Sequence, residues 1–192
     1  MPYGGGSGPD ITARLFATEL SKQIGQQIVV DNRPGASGSI GTEMIARAAP
    51  DGYTIGFGGI STFAINPSVL ARLPYDPDKD LLKVVQTYFN PGVTGLKRSP
   101  AIPELPAIAE TVPGFEVIVW GGVVLPAGAP KAIVARLNAE INKVLASPAL
   151  KEKYATIGYE LAGGTPGQFD AFVKSEIAKW AEVVRRSGAK LN

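Results

Sequence analysis

IVVDNRPGASGSIGTEMIARAAPDGYTIGF, residues 28–57, is the stretch whose reading decides the fold of this chain. Ile28, Val29 and Val30 on one side, and Tyr53-Thr54-Ile55 on the other, have the β-branched and aromatic character of strands. They flank a segment of helical character at 40–49. Strand, helix and strand in that order make a βαβ unit. Between the first strand and the helix lies Asp31-Asn32-Arg33-Pro34-Gly35-Ala36-Ser37-Gly38-Ser39, where Pro34 and the glycines impose a tight turn and the serines can cap the helix. Pro50-Asp51-Gly52 stops the helix, since Pro50 cannot continue it and Gly52 accepts positive φ. A right-handed crossover on a parallel sheet is the default for such a unit, and it gathers ligand-binding loops at the carboxyl ends of the strands.

Upstream, Tyr3-Gly4-Gly5-Gly6-Ser7-Gly8-Pro9-Asp10 precedes an amphipathic run with Ile11, Leu15, Phe16, Leu20 and Ile24 at helical spacing. Pro9 suits a first helical position, Ser7 or Gly8 can cap, and Asp10 complements the dipole. Glycines beside a helix N-terminus leave amides exposed, which is an anion site in outline; a flexible tail leading into a capped helix explains the same residues. No strand precedes this loop, so a dinucleotide fingerprint does not fit.

Downstream, Gly58-Gly59-Ile60-Ser61-Thr62-Phe63 comes after the second strand, offering close backbone approach and two hydroxyls at a strand end. Asp76, Asp78 and Asp80 alternate with Pro77 and Lys79; they lack the glycine and glutamate of a calcium loop and read as a solvated turn. Short strands are expected at 84–89 and 115–125, the second with Trp120-Gly121-Gly122 at its middle and Trp120 in the core. Helices are expected at 131–145 and 148–157, and a last one opens at Thr165-Pro166 with Phe169, Phe172, Val173, Ile177, Trp180 and Val184 on one stripe.

Composition removes whole classes of function. The 192 residues carry a net charge of +2 with dispersed basic residues, which does not make a nucleic-acid surface. With no cysteine and no histidine there is no disulfide, no thiol nucleophile, no Ser-His-Asp mechanism, and neither of zinc's usual ligands. An enzyme would have to draw its base and acid from scattered Asp, Glu, Lys and Tyr, so the chain reads as a non-enzyme without metal or cofactor. Nothing in it approaches the apolar length of a membrane span, and Met1-Pro2-Tyr3 is no signal peptide.

The run VVDNRPGASGSIGTEMIARAAPDGYTI at 29–55 closely resembles the matching region of the tripartite tricarboxylate transporter substrate-binding proteins, the Bug or TctC-like family. Pro2, Tyr3, Gly6 and Asp10 match that family's first loop, and Ser61-Thr62 followed by Ile65-Asn66-Pro67-Ser68 matches its second. The resemblance implies an α/β fold, a periplasmic-binding-protein type II-like lobe with a mostly parallel sheet flanked by helices. It implies that the first loop's amides grip a ligand carboxylate and that the second loop lines the same cleft. The candidate ligand-binding residues are therefore Tyr3, Gly6, Ser7, Asp10, Gly59, Ser61 and Thr62, with Phe63 as an apolar wall. Neutral donors would carry the binding, since Arg33, the nearest cation, reads as a surface residue.

The pattern also departs from the family in two places. The first strand is lost, with only Met1 upstream of the loop, and most of the second lobe is missing between Asn90-Pro91-Gly92 and Lys97-Arg98-Ser99-Pro100. The chain is then a single α/β lobe built from 1–92 and 97–192, joined where the second lobe would be inserted. The resemblance implies an extracytoplasmic, periplasmic solute-binding protein whose leader is not in this sequence, binding a small carboxylate and serving membrane transporter subunits. The alternative is a truncated lobe that no longer binds ligand and acts as a structural or interaction module, its uncovered hinge surface predicting a homodimer.

Overall fold

Local rules set the first helix. In the computed structural model, which describes residues 1–191, α1 (Gly8–Ile24) starts where the hydroxyl of Ser7 accepts the Asp10 amide and Pro9 occupies the first turn. It ends at Gly25, whose φ of 68° suits a residue without Cβ. α2 (Ser39–Ala46) succeeds a 3₁₀ turn at Ala36–Gly38, and β1 (Gly56–Gly59) leads through a π-helical turn at Ser61–Ile65 into the short α3 (Asn66–Val69). β2 (Leu81–Asn90), β3 (Val119–Pro126), α4 (Lys131–Leu145), α5 (Pro148–Ala155), β4 (Glu160–Leu161) and α6 (Pro166–Ser187) complete the chain. α6 opens with a capping box in which Thr165 and Gln168 bond reciprocally and Pro166 stands in the first turn.

The sheet runs in the order β1-β3-β2-β4 with helices on both faces, so the α/β class holds. Its ladders are antiparallel, however: β1 against β3, β2 against β3, and β2 against β4. The expectation of a mostly parallel sheet is corrected at the βαβ unit. Residues 28–30 form no strand; the Ile28 amide donates to the Ser21 hydroxyl at 2.9 Å, and Val29 is 77% exposed. The next amide held by backbone is Arg33, which donates to the Met1 carbonyl at 2.8 Å. A strand exists only by laddering to a neighbour. Here a hollow of about 70 Å³, lined by Ile28, Val30, Ile55, Phe57, Phe16 and Leu20, separates this segment from β1. The second strand of the unit also starts later than expected, at Gly56, leaving Tyr53 94% exposed.

Alternation along β3 divides the core in two. Val123 and Leu125 join Phe16 and Leu20 of α1, Ile141 of α4 and Tyr154 of α5 on one face. Trp120 and Val124 join Ile45, Phe63, Phe169 and Val173 on the other. Burying one residue such as Leu20, with no exposed surface, contributes about 2 kcal/mol. Trp120, 1% exposed, is the core residue expected: its ring lies edge-on to Phe169 at 6.1 Å and Phe172 at 5.0 Å, and its indole N–H donates to Glu176 at 2.8 Å. The stretch 91–118, which begins at the expected junction between 92 and 97, holds only 3₁₀ turns at Gly92–Thr94 and Ile108–Glu110.

Candidate functional site

Three turns converge beside Tyr3. The first is the glycine loop leading into α1. Gly6 takes a φ of 80° and donates its amide to Asp10 Oδ2 at 2.8 Å, while the Ser7 hydroxyl donates to the Gly4 carbonyl at 2.7 Å. The amides of Gly4 and Gly5 have no partner among the described residues.

Asp10 is 2% exposed and turned inward. Besides Gly6 it accepts from Arg14 Nε at 3.0 Å and from Asn32 Nδ2 at 2.8 Å. The Arg14 guanidinium first, against the opposing effect of burial, then the Asn32 and Gly6 donors, hold its carboxyl down to about 2. Its charge is therefore spent on fixing the loop, and it presents no carboxylate to an incoming anion.

The second turn, 59–63, closes on itself. The Gly59 amide donates to Thr62 Oγ1 at 3.3 Å and that hydroxyl donates back to the Gly59 carbonyl at 3.2 Å, with Thr62 fully buried. Phe63, 1% exposed, is packed in the core 6.4 Å from Trp120. The expectations of Thr62 as a ligand donor and of Phe63 as a cleft wall thus meet side chains directed into the protein; Ser61 alone of the three stays partly exposed. Gly59 is a glycine for a steric reason, because a Cβ there would strike the Trp120 carbonyl. The π-helical geometry at Ser61–Ile65 is a form that often accompanies functional sites.

Tyr3 joins the two turns: its carbonyl accepts from Asn32 Nδ2 at 3.0 Å, and its phenol lies beside the Thr62 hydroxyl and the Gly59 backbone. Burial pushes that phenol up to about 12.

The third turn, 35–39, has the sequence of mere punctuation before a helix, yet it belongs to the site. Gly35, Ala36, Ser37 and Gly38 take φ of 119°, 45°, 55° and 84° in succession. Positive φ in Ala36 and Ser37 costs roughly 1–2 kcal/mol each. Such strain persists where the surroundings over-determine it, and it clusters at ligand clamps. Here the Ser37 carbonyl accepts from buried Asn66 Nδ2 at 2.9 Å and the Gly38 carbonyl accepts from Thr42 Oγ1 at 2.9 Å. A Cβ on Gly38 would touch Thr62 Cγ2 at 2.7 Å and the Pro2 carbonyl at 3.2 Å, so this turn abuts both others. The signal available in the sequence was the Gly-Ala-Ser-Gly run just ahead of a helix N-terminus.

Beneath these turns lies a polar floor. The Tyr75 hydroxyl donates to the Thr62 carbonyl at 2.7 Å, and Ser39, 4% exposed, keeps a hydroxyl with no partner among the described residues. Two hollows lie nearby: the apolar one beside α1, and one of about 560 Å³ lined by Pro67, Asp76, Asp78, Ile177 and the same Tyr75.

The family model described as "Tripartite tricarboxylate transporter family receptor" matches residues 12–93 and 89–189. Among curated relatives, a UPF0065 protein from the tcbD-tcbE intergenic region of Pseudomonas sp. (strain P51) is 27% identical over 282 residues, covering 96% of this chain and 84% of the relative. Protein BugT of Bordetella pertussis is 26% identical over 289 residues, covering 100% and 89%. Both alignments are longer than this chain, so each relative carries residues without a counterpart here. An R. palustris protein solved with adipate superposes with a TM-score of 0.93 at 26% identity, covering 99% of this chain and 96% of that one. The periplasmic binding protein BugD has the same fold, with a TM-score of 0.92 at 23% identity over 98% and 96%.

Proposed function

The chain belongs to the tripartite tricarboxylate transporter receptor family, and from that membership we propose that it binds a small carboxylate on the surface where its three turns meet, for delivery to membrane transporter subunits. The family consists of solute-binding receptors, not enzymes, and its relatives of known structure are periplasmic binding proteins, which supports a periplasmic site of action. The adipate in the R. palustris neighbour supports a carboxylate as ligand class.

The observation that carries the reading is the contact of the Gly38 turn with Thr62 and Pro2, next to the Tyr3 phenol. It sets glycine-rich backbone and two helix N-termini around one surface, and such termini favour anions through oriented amides and aligned dipoles. Tyr3, Gly6, Ser7, Gly59 and Ser61 form the ligand face, joined by the 35–39 turn. Asp10, Thr62 and Phe63 act behind it by holding the loops. Residues 1–92 and 97–192 make one lobe, joined through 93–96 where the second would be inserted.

Calorimetric titration with succinate, malate, adipate, citrate and amino acids tests this. Saturating heat with one or more carboxylates is the expected result; silence across the panel from a folded protein refutes it.

The second reading, a lobe that no longer binds and associates with another copy, is favoured by one feature. Leu96, Leu105, Val112 and Phe115 in 91–118 are 55%, 46%, 50% and 36% exposed. Apolar surface of this kind marks contact sites, and one-sided contact weakens ligand burial. A dimer by sedimentation together with calorimetric silence is its signature.

A further inference from the structure

At the N-terminus of α1 most side-chain hydroxyls are already committed. Ser7 donates to the Gly4 carbonyl, Thr12 donates to the Pro9 carbonyl at 2.9 Å, and Tyr154 donates to the Thr12 carbonyl at 2.7 Å. Tyr159 differs. It lies just past α5, and its amide is held by the Tyr154 carbonyl at 2.9 Å; β4 then pins the next residues to Tyr88 and Phe89 of β2. Its ring stands edge-on to Tyr88 at 5.1 Å and is half-buried, yet its hydroxyl has no hydrogen-bond partner among the described residues.

That hydroxyl lies directly over Gly8, the first residue of α1. A Cβ on Gly8 would sit 2.6 Å from the Tyr159 oxygen but 3.7 Å from the ring carbon that bears it. Gly8 does not have a positive φ, so backbone conformation gives no reason for glycine at this point; the room required by the phenol does.

We propose that Tyr159 is a ligand-contacting residue of the carboxylate site: its phenol O–H, held over Gly8 at the opening turn of α1, donates to the bound carboxylate. This rests on the carboxylate-binding reading and adds a contact from the C-terminal half of the chain, outside the three turns. A hydroxyl donating to an ionised acceptor is a charge-assisted bond, stronger than a neutral one, and the helix N-terminus beneath it favours the same anion.

The test is a double-mutant cycle on the full chain, read by calorimetry with succinate, malate, adipate and citrate. Tyr159→Phe keeps the ring against Tyr88, so the melting midpoint stays within a few degrees, while affinity for the carboxylate bound by wild type falls by about tenfold or more. Gly8→Ala weakens binding by displacing the phenol oxygen. Adding Gly8→Ala to Tyr159→Phe brings no further loss, because the remaining ring carbon is at ordinary contact distance. Wild-type binding with Tyr159→Phe equal to wild type overturns this inference alone, as does full additivity of the two substitutions. Wild-type silence with every carboxylate overturns the carboxylate reading and this inference with it.

Discussion

Replacing Asp10 by Asn removes one charge from a carboxylate that is 2% exposed and holds three donors, and the geometry sets the magnitude. The carboxyl ordinarily titrates near 3.8 and is held here down to about 2. At about 1.36 kcal/mol per pH unit, that displacement corresponds to about 2 kcal/mol of stability from its charged form. Because the folded value is depressed, this contribution is complete above the unfolded value near 4 and fades as pH falls through about 2. Urea denaturation of wild type and Asp10→Asn should therefore differ by about 2 kcal/mol at pH 7, and the gap should narrow between pH 4 and pH 2. Hydrogen exchange at the Gly6 amide, which donates to Asp10, should accelerate in the variant as the loop loosens. A stability gap that is constant from pH 7 to pH 2, or one below about 0.5 kcal/mol at pH 7, refutes the argument that charge at Asp10 fixes the loop.

Three further substitutions probe the other turns and the core. Ser37→Gly relieves a φ of 55° at roughly 1–2 kcal/mol against a glycine entropy cost of roughly 0.5–1 kcal/mol, so the melting midpoint should rise by about 2 °C while carboxylate affinity falls; a drop in midpoint counts against strain at this turn. Gly59→Ala drives a Cβ into the backbone carbonyl of Trp120, which cannot rotate away, and should destabilise by about 3 kcal/mol or more in urea; a near-neutral result would place β1 and β3 farther apart there. Glu176→Leu strips the acceptor from the indole N–H groups of both Trp120 and Trp180, at 2.8 and 3.3 Å, and should cost about 2 kcal/mol with a shift in tryptophan emission; unchanged emission would contradict those bonds.

The elements most legible in the sequence are those set by neighbours a few residues away. Thr165-Pro166 and Gln168 fix the start of α6 through bonds three residues long, and the apolar spacing of α4 gives Lys131–Leu145 end to end. The loops of the proposed site are legible where glycine and hydroxyl residues mark them, at Gly6, Ser7, Gly59 and Ser61. It is less legible where orientation matters. Thr62 and Ser61 are adjacent and chemically alike, yet one hydroxyl is locked on Gly59 while the other residue stays partly exposed, and only the π-helical turn distinguishes them. Asp10 has the type and position of a ligand contact at a helix N-terminus; its use as an internal anchor depends on Asn32, 22 residues away in sequence.

By itself, then, the sequence determined the family, the caps of α1 and α6, and the helices and loops from which a carboxylate site could be drawn. The folded chain alone decided that the sheet is antiparallel, that residues 28–30 join no ladder, that Ala36 and Ser37 are strained, and that the Tyr159 phenol reaches Gly8. The division has a physical cause. A cap or an amphipathic stripe is a contact between residues three or four apart, written in the local pattern. Ladder direction, a held positive φ and the aim of a hydroxyl depend on which distant segment supplies the partner, and composition and periodicity do not encode that choice.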